Sequence, residues 1–262
     1  MNPLLRNIKT KYRFCTETTM NTQIDPEMQD YVCIDWNLVS TNAPLEIIEK
    51  HRDKVDWNLV SQRKNLSEDF IEKFQDQINW NFLSQQTLPE SFIEKYKDKV
   101  NWSWISRKQI LSESFIEKYQ NKVNWNHISR HQKLSEAFIE KYKNKINWHW
   151  ILETQKLSEF FIEKYQDKLH WFWISCHQKL SEPFIEKYQN KVDWKWISCN
   201  QKLSESFIEK YQDKVDWDWI SCNQELSEPF IERFHDKVEW GNICCHCQLS
   251  EPFIEKFQDK VR

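Results

Sequence analysis

Residues 203–225 read LSESFIEKYQDKVDWDWISCNQE, and variants of this stretch recur along nearly the whole chain of 262 residues. A tryptophan ladder is spaced 21, 23 and 22 residues apart and then 23 residues apart six times: Trp36, Trp57, Trp80, Trp102, Trp125, Trp148, Trp171, Trp194, Trp217 and Trp240. A leucine ladder accompanies it, with Ala43 in the leucine position of the first repeat: Leu66, Leu88, Leu111, Leu134, Leu157, Leu180, Leu203, Leu226 and Leu249. A fixed period of this length is the sequence signature of a repeat architecture.

The ladders divide the chain into nine full repeats, from Ala43 to about Gln248. A half repeat that ends in Trp36 precedes them, and Leu249–Arg262 is a half repeat that stops before its tryptophan. We therefore predict one helical-repeat domain over residues 31–262. Residues 1–30 are polar and weakly periodic, which predicts a partly disordered N-terminal arm or cap.

Each repeat carries two short helical signals. In the first, Ser204 is a good N-cap, and Phe207, Ile208, Tyr211 and Val215 follow at helical spacing. The second signal starts with an N-capping Asp or Asn directly before the ladder tryptophan, and His170 and Glu239 are the two exceptions. These capping residues are Asp35, Asp56, Asn79, Asn101, Asn124, Asn147, Asp193 and Asp216. We expect about six residues in this second helix, partly in the 3₁₀ form.

Helices this short are marginal in water unless their neighbours hold them. A 23-residue repeat cannot bury its Leu, Phe, Ile, Tyr, Val and Trp side chains alone, but stacked repeats share one continuous core. The predicted fold is therefore all-α, an α-solenoid of stacked short helix pairs with the form of an elongated rod or arc.

The composition excludes several classes of function. The chain has one glycine, whereas dinucleotide-binding, phosphate-binding and nucleophile-elbow motifs each need several glycines in register. Its formal net charge of −3 does not suit a basic duplex-binding domain. The carboxylates recur in nearly every repeat, whereas catalysis needs an asymmetric constellation, so we predict no enzymatic activity and no cofactor.

The chain has no apolar stretch long enough to span a membrane and no secretory signal. Cys176, Cys199, Cys222 and Cys245 recur in one repeat register and are not spaced like a disulfide framework. We therefore expect reduced thiols in an intracellular compartment. The Cys244–Cys247 segment lacks the paired spacing of a structural zinc site, so we predict no metal there.

The LSExFIExYxDKVxWxxIS pattern resembles tandem short repeats in proteins of large amoeba-infecting DNA viruses of the mimivirus kind. The resemblance covers about Asp35 to Val261. It implies an α-helical repeat protein of viral origin that acts in the host cytoplasm or in the virion, and it implies no catalytic role.

Five tryptophans lie two places past the ladder tryptophan, at Trp104, Trp150, Trp173, Trp196 and Trp219. One interpretation is that they pack as a second structural ladder at the edge of the solenoid. The other is that they form an exposed stripe that anchors a protein or stacks bases. Arg107, Lys108, Arg130 and His131 lie five and six places past the ladder tryptophan in two successive repeats, as a basic patch for an acidic partner or a phosphate, or as ordinary balanced surface.

We predict a non-catalytic scaffold whose long surface binds a host or viral protein, with the five tryptophans and the basic residues as candidate contacts. One alternative is single-stranded RNA binding with one base per repeat, which the near-neutral charge disfavours. Another is a structural role in the virion, or self-association through the C-terminal half repeat. A membrane partner is not predicted.

Overall fold

The computed structural model describes residues 34–64 and 66–260. The described residues fall into two compact bodies, the first ending at Gln109 and the second beginning at Ile110. The predicted N-terminal arm over residues 1–30 lies outside the described residues.

The described residues contain twenty helices and no strand. In the first body the helices are α1 (Trp36–Asn42), α2 (Leu45–Lys50), α3 (Trp57–Ser61), α4 (Glu68–Lys73), α5 (Trp80–Leu83), α6 (Glu90–Lys95) and α7 (Trp102–Lys108). In the second body they are α8 (Glu113–Lys118), α9 (Trp125–His131), α10 (Glu136–Lys141), α11 (Trp148–Thr154), α12 (Glu159–Lys164), α13 (Trp171–His177), α14 (Glu182–Lys187), α15 (Trp194–Asn200), α16 (Glu205–Lys210), α17 (Trp217–Asn223), α18 (Glu228–Arg233), α19 (Trp240–His246) and α20 (Glu251–Lys256). We call the even-numbered helices A helices and the odd-numbered ones B helices.

The A helices begin as the sequence predicts. Six serines accept a hydrogen bond at their hydroxyl from the backbone N–H three residues later: Ser67, Ser112, Ser135, Ser158, Ser181 and Ser204. Prolines occupy the first turn of α14, α18 and α20, where the missing N–H has no intrahelical acceptor. Of the ten A helices in the described residues, the other four make no side-chain cap bond and follow Pro44, Pro89, Ser227 and Ser250.

The B helices are also capped as predicted. The Asp and Asn residues before the ladder tryptophans accept backbone N–H groups of the first turn, whereas His170 and Glu239 make no side-chain cap bond. The expectation of six residues with 3₁₀ character is wrong, because most B helices are seven-residue α-helices. They extend because the next residue, such as Gln201, still donates its N–H to the carbonyl four residues back, here that of Ile197.

The ladder tryptophans link each repeat to the next. The Trp194 ring packs 6.3 Å from the ring of Phe207 in α16 and 5.0 Å from that of Tyr211, the C-cap of this helix. Its Nε1–H donates to the backbone oxygen of Gln189, and the Nζ of Lys214 lies over the ring. The ladder is thus half-buried and contacted on several sides, which explains why tryptophan recurs at this position.

A serine hydroxyl joins consecutive B helices. In α15 the fully buried Ser198 Oγ donates to the carbonyl of Trp194 and accepts from the N–H of Asp216, the N-cap of α17, at 2.9 Å. The same bond to the next cap forms at 2.8–2.9 Å from Ser40, Ser61, Ser84, Ser129, Ser175 and Ser221. Consecutive B helices within each body contact one another, which confirms the α-solenoid of stacked helix pairs.

A second buried polar ladder is built from the glutamines that follow the B helices. The side chain of Gln201 accepts from the N–H of Leu180 at 2.9 Å and donates to the carbonyl of Gln178 at 2.7 Å. Equivalent glutamines are 3% to 7% exposed: Gln109, Gln132, Gln155, Gln178 and Gln224. The Gln201 amide therefore satisfies a backbone N–H at the start of its own repeat and a carbonyl at the end of the preceding one.

The outer surface of the A helices carries a ladder of ion pairs between consecutive repeats. Lys164 pairs with Glu140 at 2.5 Å, Lys187 with Glu163 at 2.6 Å, and Lys210 with Glu186 at 2.5 Å. In addition, first-turn glutamates such as Glu182 accept the N–H of the next capping serine. None of the helices in residues 34–64 and 66–260 is long and apolar enough to cross a bilayer.

Candidate protein-binding surface

The five tryptophans of the predicted stripe each occupy the third position of a B helix, and all are half-buried. Trp104 belongs to the first body, and the other four belong to the second. In the second body we name the second and third residues of each B helix the B edge. It comprises Asn126 and His127, His149 and Trp150, Phe172 and Trp173, Lys195 and Trp196, Asp218 and Trp219, and Gly241 and Asn242.

The predicted basic residues contact these tryptophans. In the first body the Arg107 guanidinium lies 5.4 Å from the Trp104 ring centre, and Arg107 and Lys108 are exposed in the last turn of α7. In the second body Arg130 lies over Trp150, 3.9 Å from its ring centre. Position in the last turn also suits these cations, because helix C-termini carry partial negative charge.

His131 follows Arg130 at the end of α9, exposed, with its ring 5.9 Å from that of His127. The predicted patch is therefore two pairs of residues, one pair in each body, and each arginine lies beside a tryptophan. Stacking of a guanidinium on an aromatic ring is a favourable use of an arginine, so Arg130 stabilises the orientation of Trp150.

Neighbouring aromatic rings surround Trp173. His149 meets it edge-on at 4.5 Å, Phe172 contacts it at 5.2 Å, and His177 stacks on it at 5.3 Å with an interplanar angle of 12°. Phe172 also reaches the ring of Trp196 at 5.8 Å, nearly perpendicular to it. These contacts cover Trp173 with residues of the chain itself, which favours the interpretation of this tryptophan as a structural element of the edge.

Trp196 and Trp219 differ from the tryptophans before them. Arg130 lies twenty residues before Trp150, and at the same offset Cys176 precedes Trp196 and Cys199 precedes Trp219. In the part of the chain that the structure describes, neither ring carries a cation or a parallel stacked ring. A cysteine side chain is too short to lie over Trp196 or Trp219 in the way that the Arg130 guanidinium lies over Trp150.

Charge also changes along the B edge. The N-caps of α9, α11 and α13 are Asn124, Asn147 and His170. No carboxylate lies among these caps and the first three residues of the helices. The caps of α15, α17 and α19 are instead Asp193, Asp216 and Glu239. Asp218 adds a fourth carboxylate and Lys195 is the one cation among these positions. The caps and first three residues of α15, α17 and α19 together therefore carry four carboxylates and one cation.

The cysteines do not assemble a metal site among the described residues, where no cluster of three or more potential ligands occurs. Six cysteines in that part of the chain are free thiols, as the repeat spacing predicts for the cysteine ladder: Cys176, Cys199, Cys222, Cys244, Cys245 and Cys247. Burial raises the pKa of Cys176 and of Cys199, so these thiols are less reactive than an exposed cysteine. The Cys222 Sγ lies 3.7 Å from the His246 Nε2.

The sequence reasoning missed the glutamine ladder. Its signal was visible, because glutamine recurs at the 23-residue period from Gln109 to Gln224 while its neighbours vary. It also missed the rings of His149 and Phe172, whose contacts bridge successive tryptophans. Those two residues carry no periodic signal, since other repeats have Asn, Lys or Asp at the same position.

The chain matches no protein-family model, no curated protein and no solved structure. The candidate surface is therefore interpreted from its own geometry.

Proposed function

We propose that the protein is a non-catalytic scaffold that binds another protein through the B edge of its second body. The observation that carries this proposal is the change of the B edge from repeat to repeat. On the A helices the exposed Glu and Lys side chains form the same ion pairs in successive repeats, whereas the second residue of the B helices differs in every repeat from Asn126 to Gly241. A surface that differs at each step can distinguish one partner from another.

The composition of the B edge supports a protein partner. Trp is favoured at the energetic centres of protein interfaces, and half-buried rings lose little conformational entropy on binding. Single-stranded RNA fits less well, since base stacking needs accessible ring faces and a positive groove. Arg130 and His177 already lie against Trp150 and Trp173, and the caps and first three residues of α15, α17 and α19 carry four carboxylates and one lysine.

The viral origin implied by the repeat pattern would make the partner a host or viral protein in the host cytoplasm or the virion. Self-association through the C-terminal half repeat stays a prediction. Light scattering of the purified chain measures it directly, and a monomer at micromolar concentration would contradict it.

Affinity capture with two matched variants tests the scaffold proposal. The full chain is immobilised and the proteins it retains from a lysate of the source cells are quantified by mass spectrometry. We expect the retained proteins to be lost with a Trp196→Leu/Trp219→Leu variant and kept with a Lys187→Ala/Lys210→Ala variant on the A helices. Equal retention by both variants would exclude the B edge as the binding surface.

A further inference from the structure

We propose that Trp196 and Trp219 bind two arginine side chains of an extended basic segment of the partner protein, with Asp218 beside Trp219. This inference rests on the proposed function and specifies the chemistry of the partner. It draws on three observations: an arginine contact within the chain, the acidic caps of α15, α17 and α19, and the stacking of consecutive B helices.

The chain itself demonstrates the mode of recognition. The Arg130 guanidinium, which belongs to one repeat, stacks 3.9 Å from the centre of the Trp150 ring in the next repeat. At the corresponding offset Trp196 and Trp219 have Cys176 and Cys199, whose side chains are too short to reach over a ring as a guanidinium does. An arginine supplied by a partner would occupy the place that Arg130 fills over Trp150, two and three repeats earlier.

The carboxylates around these two rings match that charge. The caps Asp193 and Asp216 use Oδ1 to accept the backbone N–H groups of their helices. Asp218 is exposed directly beside Trp219. A guanidinium over a tryptophan and within reach of a carboxylate combines a cation–π contact with a charge-assisted hydrogen bond. Lys195 is the one opposing charge, so the surface stays net acidic.

The stacking of the helices sets the spacing of the two arginines. Packed helices lie about 8–10 Å apart, and α15 and α17 are consecutive contacting B helices. A polyproline II segment rises about 3.1 Å per residue with three residues per turn. Arginines three residues apart in such a segment therefore point to the same side, about 9 Å from each other. The matching sequence is Arg-x-x-Arg in an extended, proline-containing segment.

Fluorescence anisotropy with labelled peptides tests this proposal on the full chain. The probe contains Arg-Pro-Pro-Arg, and its controls are the same peptide with citrulline for arginine and a peptide of equal composition with the order Arg-Pro-Arg-Pro. We expect saturable binding of the probe, a loss of about tenfold with citrulline, and a loss of about threefold with the altered spacing.

Variants locate the site. Trp196→Leu/Trp219→Leu should weaken the probe about tenfold and Asp218→Asn about threefold, while Lys187→Ala/Lys210→Ala on the A helices should leave binding unchanged. Circular dichroism melts establish that each variant is folded, and the citrulline comparison needs no variant at all. Equal binding of the citrulline peptide, an equal loss with Lys187→Ala/Lys210→Ala, or no saturable binding below about 1 mM would overturn the proposal.

These outcomes separate the two proposals. If lysate proteins depend on Trp196 and Trp219 but the arginine peptide does not bind, the scaffold stands and the arginine chemistry is wrong. If the peptide binds as expected while the retained proteins are indifferent to both tryptophans, the site exists but is not the scaffold's binding surface.

Discussion

Two tryptophans in α15, Trp194 and Trp196, show how differently the two sides of a repeat are used. Trp194 is stacked against Phe207 and Tyr211, hydrogen-bonded at Nε1 and covered by Lys214. Trp196, two residues later, meets only the edge of Phe172 among the ring contacts of the described residues. The first position is tryptophan in every repeat, whereas the second ranges from Leu38 to Asn242. The position whose contacts recur from repeat to repeat keeps its tryptophan. The position two residues later has different contacts in different repeats, and its residue varies.

The largest expected difference separates these two rings. Trp194→Ala should lower the free energy of unfolding by about 3–5 kcal/mol, because it removes a ring packed between repeats. Trp196→Ala should cost about 1–2 kcal/mol, since its ring meets one neighbouring ring edge-on and joins no hydrogen bond at Nε1 among the described contacts. Urea unfolding followed by circular dichroism measures both. Equal losses would mean that Trp196 is part of the structural ladder and not a surface anchor.

The glutamine ladder offers the next largest effect. Gln201→Ala removes the partners of the Leu180 N–H and the Gln178 carbonyl, two buried backbone groups, and should destabilise the chain by about 1–3 kcal/mol. The adjacent Asn200 is exposed and donates to the Cys176 carbonyl, so Asn200→Ala serves as the matched control with an expected loss below about 1 kcal/mol. A Gln201→Ala loss no larger than the control would show that water replaces the amide.

His170 marks a repeat where the inter-repeat contacts are incomplete. Leu152 stands where other repeats have the joining serine, and His170, the cap that this serine would bond, makes no side-chain cap bond. His170→Asp should stabilise the chain by about 1 kcal/mol, because it supplies the cap that Asp193 supplies in the next repeat. His170→Ala should change little. A rise in melting temperature for Asp but not for Ala would support this reasoning, and a rise for both would contradict it.

The ion pairs of the A helices should give the smallest effect, visible as a dependence on pH. Lys164 and Lys187 lower the pKa of Glu140 and of Glu163 below the ordinary value of 4.5. The stabilisation is therefore present above about pH 4.5 and is lost as the pH falls through the lowered pKa. Conversely, the same pairs raise the pKa of Lys164 and Lys187 above 10.5, so that their contribution is lost in strong alkali.

Urea midpoints between pH 3 and pH 8 measure the acid limb of this dependence. A Glu140→Gln/Glu163→Gln variant should show a shallower decline than the parent chain, and 1 M salt should reduce the difference by screening these exposed pairs. Identical profiles for the variant and the parent would assign the acid sensitivity to other carboxylates.

Most of the fold could be predicted from the sequence, because residues that recur from repeat to repeat mark the helix caps and the core. The serine and aspartate caps, the buried isoleucines and the stacking of helix pairs all have a periodic signal and a local physical cause. The seventh residue of most B helices has no such periodic signal. It depends on a backbone hydrogen bond such as that from Gln201 to Ile197, and on the burial of the glutamine.

The candidate surface was harder to predict. The tryptophan column was visible, but whether each ring is covered depends on side chains from neighbouring repeats. Arg130 reaches Trp150 across a repeat boundary, and His149 and Phe172 bridge successive rings. To predict these contacts one must know which side chains of consecutive repeats lie next to each other, and the repeat period alone does not give this.

The hydrogen bond from Asp216 to Ser198 and the one from Gln201 to Gln178 each join a repeat to its immediate neighbour, and in both the later repeat is the donor. A whole 23-residue block could therefore be duplicated or deleted between Leu180 and Leu226 and leave every remaining donor facing an equivalent acceptor. Recombination can therefore change the number of repeats, and with it the length of the B edge. An insertion of one residue would instead separate the serine and glutamine donors and acceptors.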